Sequence, residues 1–264
     1  MSYHSLLTYS PLTLQHMRVI PVLDIKDGLV VRGIGGRREE YRPIVSKLTT
    51  SCRPMDVARA FRDLLGLEEI YLADLDAIAG ARPAWDIYRE IQALGCRLWV
   101  DAGIHHVADA LELARHGIQD VVVGLETIAG PDVLTSTCRE LGGDRIIFSL
   151  DLKDGRPLGE LASWKQPDIY AIVAQAIEGG IRRLLILDLT RIGMGQGPGT
   201  ETICRKLADD YPDVEITVGG GIRDAGDLRR LADCGVTSVL AASALHDGQL
   251  RPEHWQTIYP ARHS

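Results

Sequence analysis

The sequence predicts one α/β domain, a (βα)8 barrel of the TIM type built from two duplicated (βα)4 halves. Three observations predict it. Short, nearly all-apolar runs alternate with amphipathic stretches, the pattern of parallel strands covered on both faces by helices. The second half of the chain repeats landmarks of the first. The length, 264 residues, suits a closed eight-unit barrel of ~250 residues.

The repeat is visible at three places. Leu23-Asp24-Ile25-Lys26-Asp27-Gly28 returns as Leu150-Asp151-Leu152-Lys153-Asp154-Gly155. Ala73-Asp74-Leu75 returns as Leu187-Asp188-Leu189. Val100-Asp101-Ala102-Gly103-Ile104 returns as Val218-Gly219-Gly220-Gly221-Ile222, and that match runs on ungapped to Val121/Val239. A repeat of half a domain favours closure over an open doubly wound sheet. The Gly-x-Gly-x-x-Gly turn that would favour the open sheet does not follow the first strand.

In chain order, the expected strands are 19–23, 70–73, 97–100, 120–123, 145–150, 184–187, 215–218 and 238–241. Helical stripes of period 3.6 follow: Val57, Ala60, Phe61 and Leu64; Val107, Ala110, Leu111 and Ala114; Leu228, Leu231 and Ala232. Gly66, Gly95, Gly117, Gly180 and Gly235 stand where a glycine ends a helix. The longest loops follow strands 1, 5 and 6, on the face where barrels place active sites. Residues 1–17 read as an N-terminal extension and 18–264 as the barrel. Met17, just ahead of the first strand, is an alternative start position.

Composition narrows function. A formal net charge of −7 argues against nucleic acid and anionic membranes as partners. A phosphorylated substrate remains open, because backbone N–H groups hold phosphate without basic side chains. Five dispersed cysteines suit a reducing cytoplasm rather than a disulfide framework. No run approaches the ~18 apolar residues of a membrane helix. No metal site or redox cofactor is expected. Homo-oligomerisation or pairing with a partner subunit is compatible with the sequence.

Asp24 and Asp151 end equivalent strands, so the duplication sets them across the barrel axis. Two such carboxylates can divide acid and base roles. Gly220 and Gly221 after strand 7, with Ala242 and Ser243 after strand 8, would hold a phosphate. Their sister turns, at Gly103 and Gly124, would hold a second, although Asp101 and Glu126 bring negative charge there. Asp74 and Asp188 end strands 2 and 6 and serve either as substrate contacts or as loop braces. Arg37 and Arg38 sit in a loop able to act as a lid, and Trp164 is a candidate stacking surface.

These motifs resemble the HisA/HisF superfamily of histidine-biosynthesis barrels. The resemblance rests on Ile20–Gly28, Leu72–Asp76, Val121–Gly124, Val218–Ile222 and Leu240–Ser243, and spans roughly residues 18–250. It implies an Amadori rearrangement of an aminoaldose phosphate to an aminoketose phosphate. Asp24 would remove the proton from sugar C2 and Asp151 would protonate the ring oxygen, while the glycine turns hold the substrate phosphates. Three positions depart from the isomerase branch. Leu187 replaces a Thr, Ile192-Gly193-Met194 replaces Asp-Gly-Thr, and Asp101-Ala102-Gly103 replaces a triple glycine. The loop Gly36–Pro43 resembles instead a divergent HisA/HisF-related group linked to tetrahydromethanopterin one-carbon metabolism. That implies a ribosyl phosphate of that cofactor's synthesis as an alternative substrate. A non-catalytic phosphate-binding or partner subunit is the third reading.

Overall fold

Eight parallel strands close on themselves in the computed structural model, which describes residues 16–261. They are β1 (Arg18–Lys26), β2 (Glu69–Asp74), β3 (Arg97–Asp101), β4 (Asp120–Gly124), β5 (Ile146–Lys153), β6 (Arg183–Asp188), β7 (Glu215–Gly219) and β8 (Ser238–Ala241). Each pairs with the next, and β8 returns to β1 in register from Arg18↔Ser238 to Pro21↔Ala241. Helices cover the outside: α1 (Pro54–Leu65), α2 (Trp85–Ala93), α3 (Val107–Arg115), α4 (Pro131–Leu141), α5 (Ile169–Glu178), α6 (Glu201–Asp210) and α7 (Ala225–Ala232). The five glycines expected after helices all have positive φ, from +68° at Gly66 to +112° at Gly180. Most of the expected N-terminal extension lies outside the described residues. Met17 is buried, and its N–H donates to the Ile258 carbonyl at 2.8 Å.

β1 and β5 run further than expected because each continues into an antiparallel hairpin, with Leu29–Arg32 and Arg156–Pro157. The repeated Asp-Gly makes both turns. Asp27 and Asp154 have φ +51°, with Gly28 at +76° and Gly155 at +71°. Two successive positive φ angles are what Asp-Gly supplies in a tight hairpin. Each turn is braced from the next strand's loop: Asp76 Oδ2 accepts the Asp27 N–H at 2.7 Å, and Asp188 Oδ2 accepts the Gly155 N–H at 3.1 Å.

Two apolar layers hold the barrel. The larger lies between strands and helices, and the smaller fills the interior with Ile20, Tyr71, Trp99, Val122, Ile147, Leu185 and Leu240. The floor is closed. Trp99 Nε1 donates to Glu69 Oε1 at 2.8 Å, and the Arg183 guanidinium lies 4.7 Å from the Trp99 ring centre. The fully buried Asp120 carboxylate pairs with both Arg97 and Arg183. The barrel therefore opens at one end, the carboxyl ends of its strands.

Candidate active site

Strand parity decides which residues face the cavity. Side chains alternate with period two, and the interior cluster fixes the inward phase at Ile20, Ala73, Trp99, Val122, Ile147 and Leu185. Counting up each strand, Asp24, Asp101, Gly124, Asp151 and Leu187 share that phase. All five line one cleft of about 1020 Å3, counted to its open mouth. Asp74 and Asp188 have the opposite phase and do not line it.

Asp24 reaches the cleft, and its carboxylate receives no hydrogen bond from the protein among the described residues. Loss of water pushes its pKa up to about 7, with nearby Asp101 adding to the rise and Arg38 opposing it. Asp151 is held firmly: Oδ1 accepts from Ser149 Oγ at 2.7 Å and Oδ2 from the Glu126 N–H at 3.0 Å. Burial outweighs those bonds and pushes it up to about 7 as well. A side chain on Gly124 would put its Cβ 2.9 Å from Asp151 Oδ2. Asp101 accepts from Tyr71 Oη at 3.1 Å and from the Gly103 N–H at 3.2 Å, and burial raises its pKa too. Asp24 and Asp151, each raised to about 7, can both give and take protons at physiological pH.

Gly220, Gly221, Ala242 and Ser243 line the cleft on the β7–β8 side. Gly221 has φ +78°, and a Cβ there would lie 2.6 Å from the Gly197 carbonyl oxygen. Among the described residues the N–H groups of Gly220, Gly221 and Ser243, all of which line the cleft, find no acceptor. Gly103 does not line it; its absent side chain makes room for Ile78, whose Cα would lie 2.8 Å from a Cβ.

The other expected residues divide. Arg38 reaches the cleft, where Nη2 pairs with Glu126 Oε2 at 2.8 Å. Arg37 pairs with Glu40 at 2.8 Å and does not line the cleft. Asp74 is a brace: it accepts from the Ala77 N–H at 3.1 Å, the Ala84 N–H at 2.9 Å and Tyr88 Oη at 2.6 Å. Asp188 likewise accepts from Thr190 N–H at 3.1 Å and from its Oγ1 at 2.6 Å. Trp164 is not a substrate-stacking surface; it is buried against Phe148, with ring centres 5.8 Å apart. An indole followed by Lys165 reads as an exposed loop residue until Phe148 is seen behind it. Tyr41, Tyr71, Thr127 and Leu189 line the cleft without having been singled out, and Ile192, named only as a departure from the isomerase pattern, joins them. Parity on β2 would have found Tyr71, whereas the loop residues carry no such signal.

Fold and cleft together define the class: a twofold-duplicated (βα)8 barrel with its ionisable groups gathered above the carboxyl ends of the strands. Residues 18–251 match the model of the histidine biosynthesis protein family. The chain belongs to that family, within the HisA/HisF superfamily. An uncharacterized protein of Methanocaldococcus jannaschii is 32% identical over 236 residues, covering 89% of this chain and 95% of its own. A 1-(5-phosphoribosyl)-5-((5-phosphoribosylamino)methylideneamino) imidazole-4-carboxamide isomerase of Desulforudis audaxviator is 26% identical over 242 residues, covering 89% and 88%. The isomerase of the same name from Desulfitobacterium hafniense is 28% identical over 222 residues, covering 82% and 85%.

Proposed function

We propose that the chain is a HisA-like aldose–ketose isomerase acting on a phosphoribosyl amino compound. The observation that carries the reading is the unbonded Asp24 carboxylate in the cleft, raised to about 7, with a second carboxyl, Asp151, raised alike on the equivalent strand. Asp151 in its protonated form gives a proton to the ring oxygen, and the furanose opens to an iminium. Asp24 in its ionised form takes the proton from C2 to give an enaminol; C1 then takes a proton from Asp24 while the C2 hydroxyl gives one up to Asp151, forming the aminoketose and restoring both carboxyls. Atoms are conserved, as an isomerisation requires. The phosphate rests on the bare N–H groups of Gly220, Gly221 and Ser243, which supply donors without a cation. Two perturbed carboxyls in a cleft favour catalysis over a purely binding role.

The test is an isomerase assay with two aminoaldoses: the histidine-pathway bisphosphate and N-(5-phosphoribosyl)aniline. Turnover of either one, lost in both Asp24→Asn and Asp151→Asn, supports the reading. No turnover of either by folded, phosphate-binding protein would sink it. A second reading, a ribosyl phosphate step in tetrahydromethanopterin assembly, is favoured by the apolar wall that Leu187, Leu189, Ile192 and Leu240 give the cleft. Such a wall suits an aryl ring attached to the sugar.

A further inference from the structure

The duplication allows the two ends of the cleft to be compared atom for atom, and they are not alike. Gly124 corresponds to Ala242, so Leu125 and Glu126 correspond to Ser243 and Ala244. Both turns close in the same way: Thr127 and Ile128 donate to the Gly124 carbonyl at 3.2 and 3.0 Å, and Leu245 and His246 donate to the Ala242 carbonyl at 3.0 and 3.1 Å. The preceding N–H groups part company. Leu125 donates to the Ser149 carbonyl at 2.9 Å and Glu126 to Asp151 at 3.0 Å. Those of Ser243 and Ala244 find no acceptor among the described residues.

The turns before them differ in the same sense. Gly219 has no side chain, while its counterpart Asp101 lines the cleft and takes the Gly103 N–H at 3.2 Å. The N–H groups of Gly220 and Gly221 remain unused. Charge follows: Glu126 is balanced by Arg38 at 2.8 Å, leaving Asp101 beside the two proposed acid/base carboxyls with no further cation lining the cleft among the described residues. A phosphate at this end would meet acceptors where it needs donors, and like charges set side by side repel it.

We propose that the cleft takes a monophosphate: its one phosphate lies on the β7–β8 turns, and the β3–β4 end receives a hydrogen-bond-donating nitrogen group in place of a second phosphate. This rests on the isomerase reading above and adds the substrate class. Asp101 is then a specificity-determining residue, accepting from the nitrogen group with the lone pairs that Tyr71 and Gly103 leave free.

Titration calorimetry on the full chain tests it with three stable probes: ribulose 5-phosphate, ribulose 1,5-bisphosphate and 1-amino-1-deoxyribulose 5-phosphate. The amine should bind at least about tenfold tighter than ribulose 5-phosphate, and the bisphosphate no tighter than it. In Asp101→Asn the amine's advantage should fall to about threefold or less, and the bisphosphate should gain. Wild-type protein that binds the bisphosphate tenfold tighter than ribulose 5-phosphate overturns the inference and leaves the isomerase reading standing. An amine advantage unchanged in folded Asp101→Asn overturns the role of Asp101. Failure of all three esters to bind removes the phosphate site itself, and both conclusions fall together.

Discussion

Replacing Asp151 by Asn should abolish turnover and at the same time stabilise the protein. Asn keeps both hydrogen bonds: its carbonyl accepts from the Glu126 N–H, and its NH2 group donates to Ser149 Oγ. What it removes is an ionisation that the folded state resists. The carboxyl titrates near 3.8 when free and near 7 in the fold. The folded pKa is the higher one, so as pH rises the unfolded chain sheds its proton first. The contribution of this group is therefore least unfavourable below about pH 4, grows more unfavourable between about 4 and 7, and stays so above that. A gap of about three units corresponds to about 4 kcal/mol in full, of which somewhat more than half falls between pH 5 and pH 8. For a chain of this size that is roughly 5 °C in melting temperature. Asp24 titrates in both proteins and drops out of the comparison. Calorimetric melting of wild type and Asp151→Asn at pH 5 and pH 8 is the assay. The variant should gain at both, and gain about 5 °C more at pH 8. A variant that melts lower at pH 8, or whose gain is the same at both pH values, refutes the claim that burial raises this group.

Asp24→Asn should lower kcat about 10³-fold while leaving phosphate affinity within about twofold, measured by turnover and by calorimetry. Gly221→Ala should weaken phosphate binding at least about tenfold and cost ~1–3 kcal/mol in urea denaturation, because it forces a Cβ toward the Gly197 oxygen at positive φ. Arg38→Met should raise KM several-fold, whereas Arg37→Ala, whose partner Glu40 is outside the cleft, should change it less than about twofold. Trp164→Phe should leave ligand affinity untouched, while Trp164→Ala should destabilise the fold by ~3 kcal/mol without a separate effect on the site.

The eight strands were legible because each is a short apolar run with a turn signal behind it, and closure was legible from the half-length repeat. The hairpins were written in the sequence too, as the repeated Asp-Gly, but the strands were ended too early at Leu23 and Leu150. Asp24 and Asp151 stand out in the sequence because duplication singles out what it copies, and both line the cleft. Asp74 and Asp188 are copied as well, yet do not line the cleft; only counting parity from an inward neighbour separates the two pairs. The loop contacts were not legible. Arg38 and Arg37 are adjacent, and nothing local says which meets Glu126, 88 residues away. Trp164 was misread for the same reason, since its partner Phe148 lies on a strand.

The closed floor has a kinetic corollary. With Trp99, Arg183 and Asp120 stoppering the barrel from below, the cleft, as the described residues form it, is a cul-de-sac. Reactant and product must share it, and the Arg38–Glu126 ion pair stands beside it on both journeys. A product still seated in the cleft therefore keeps the next reactant out.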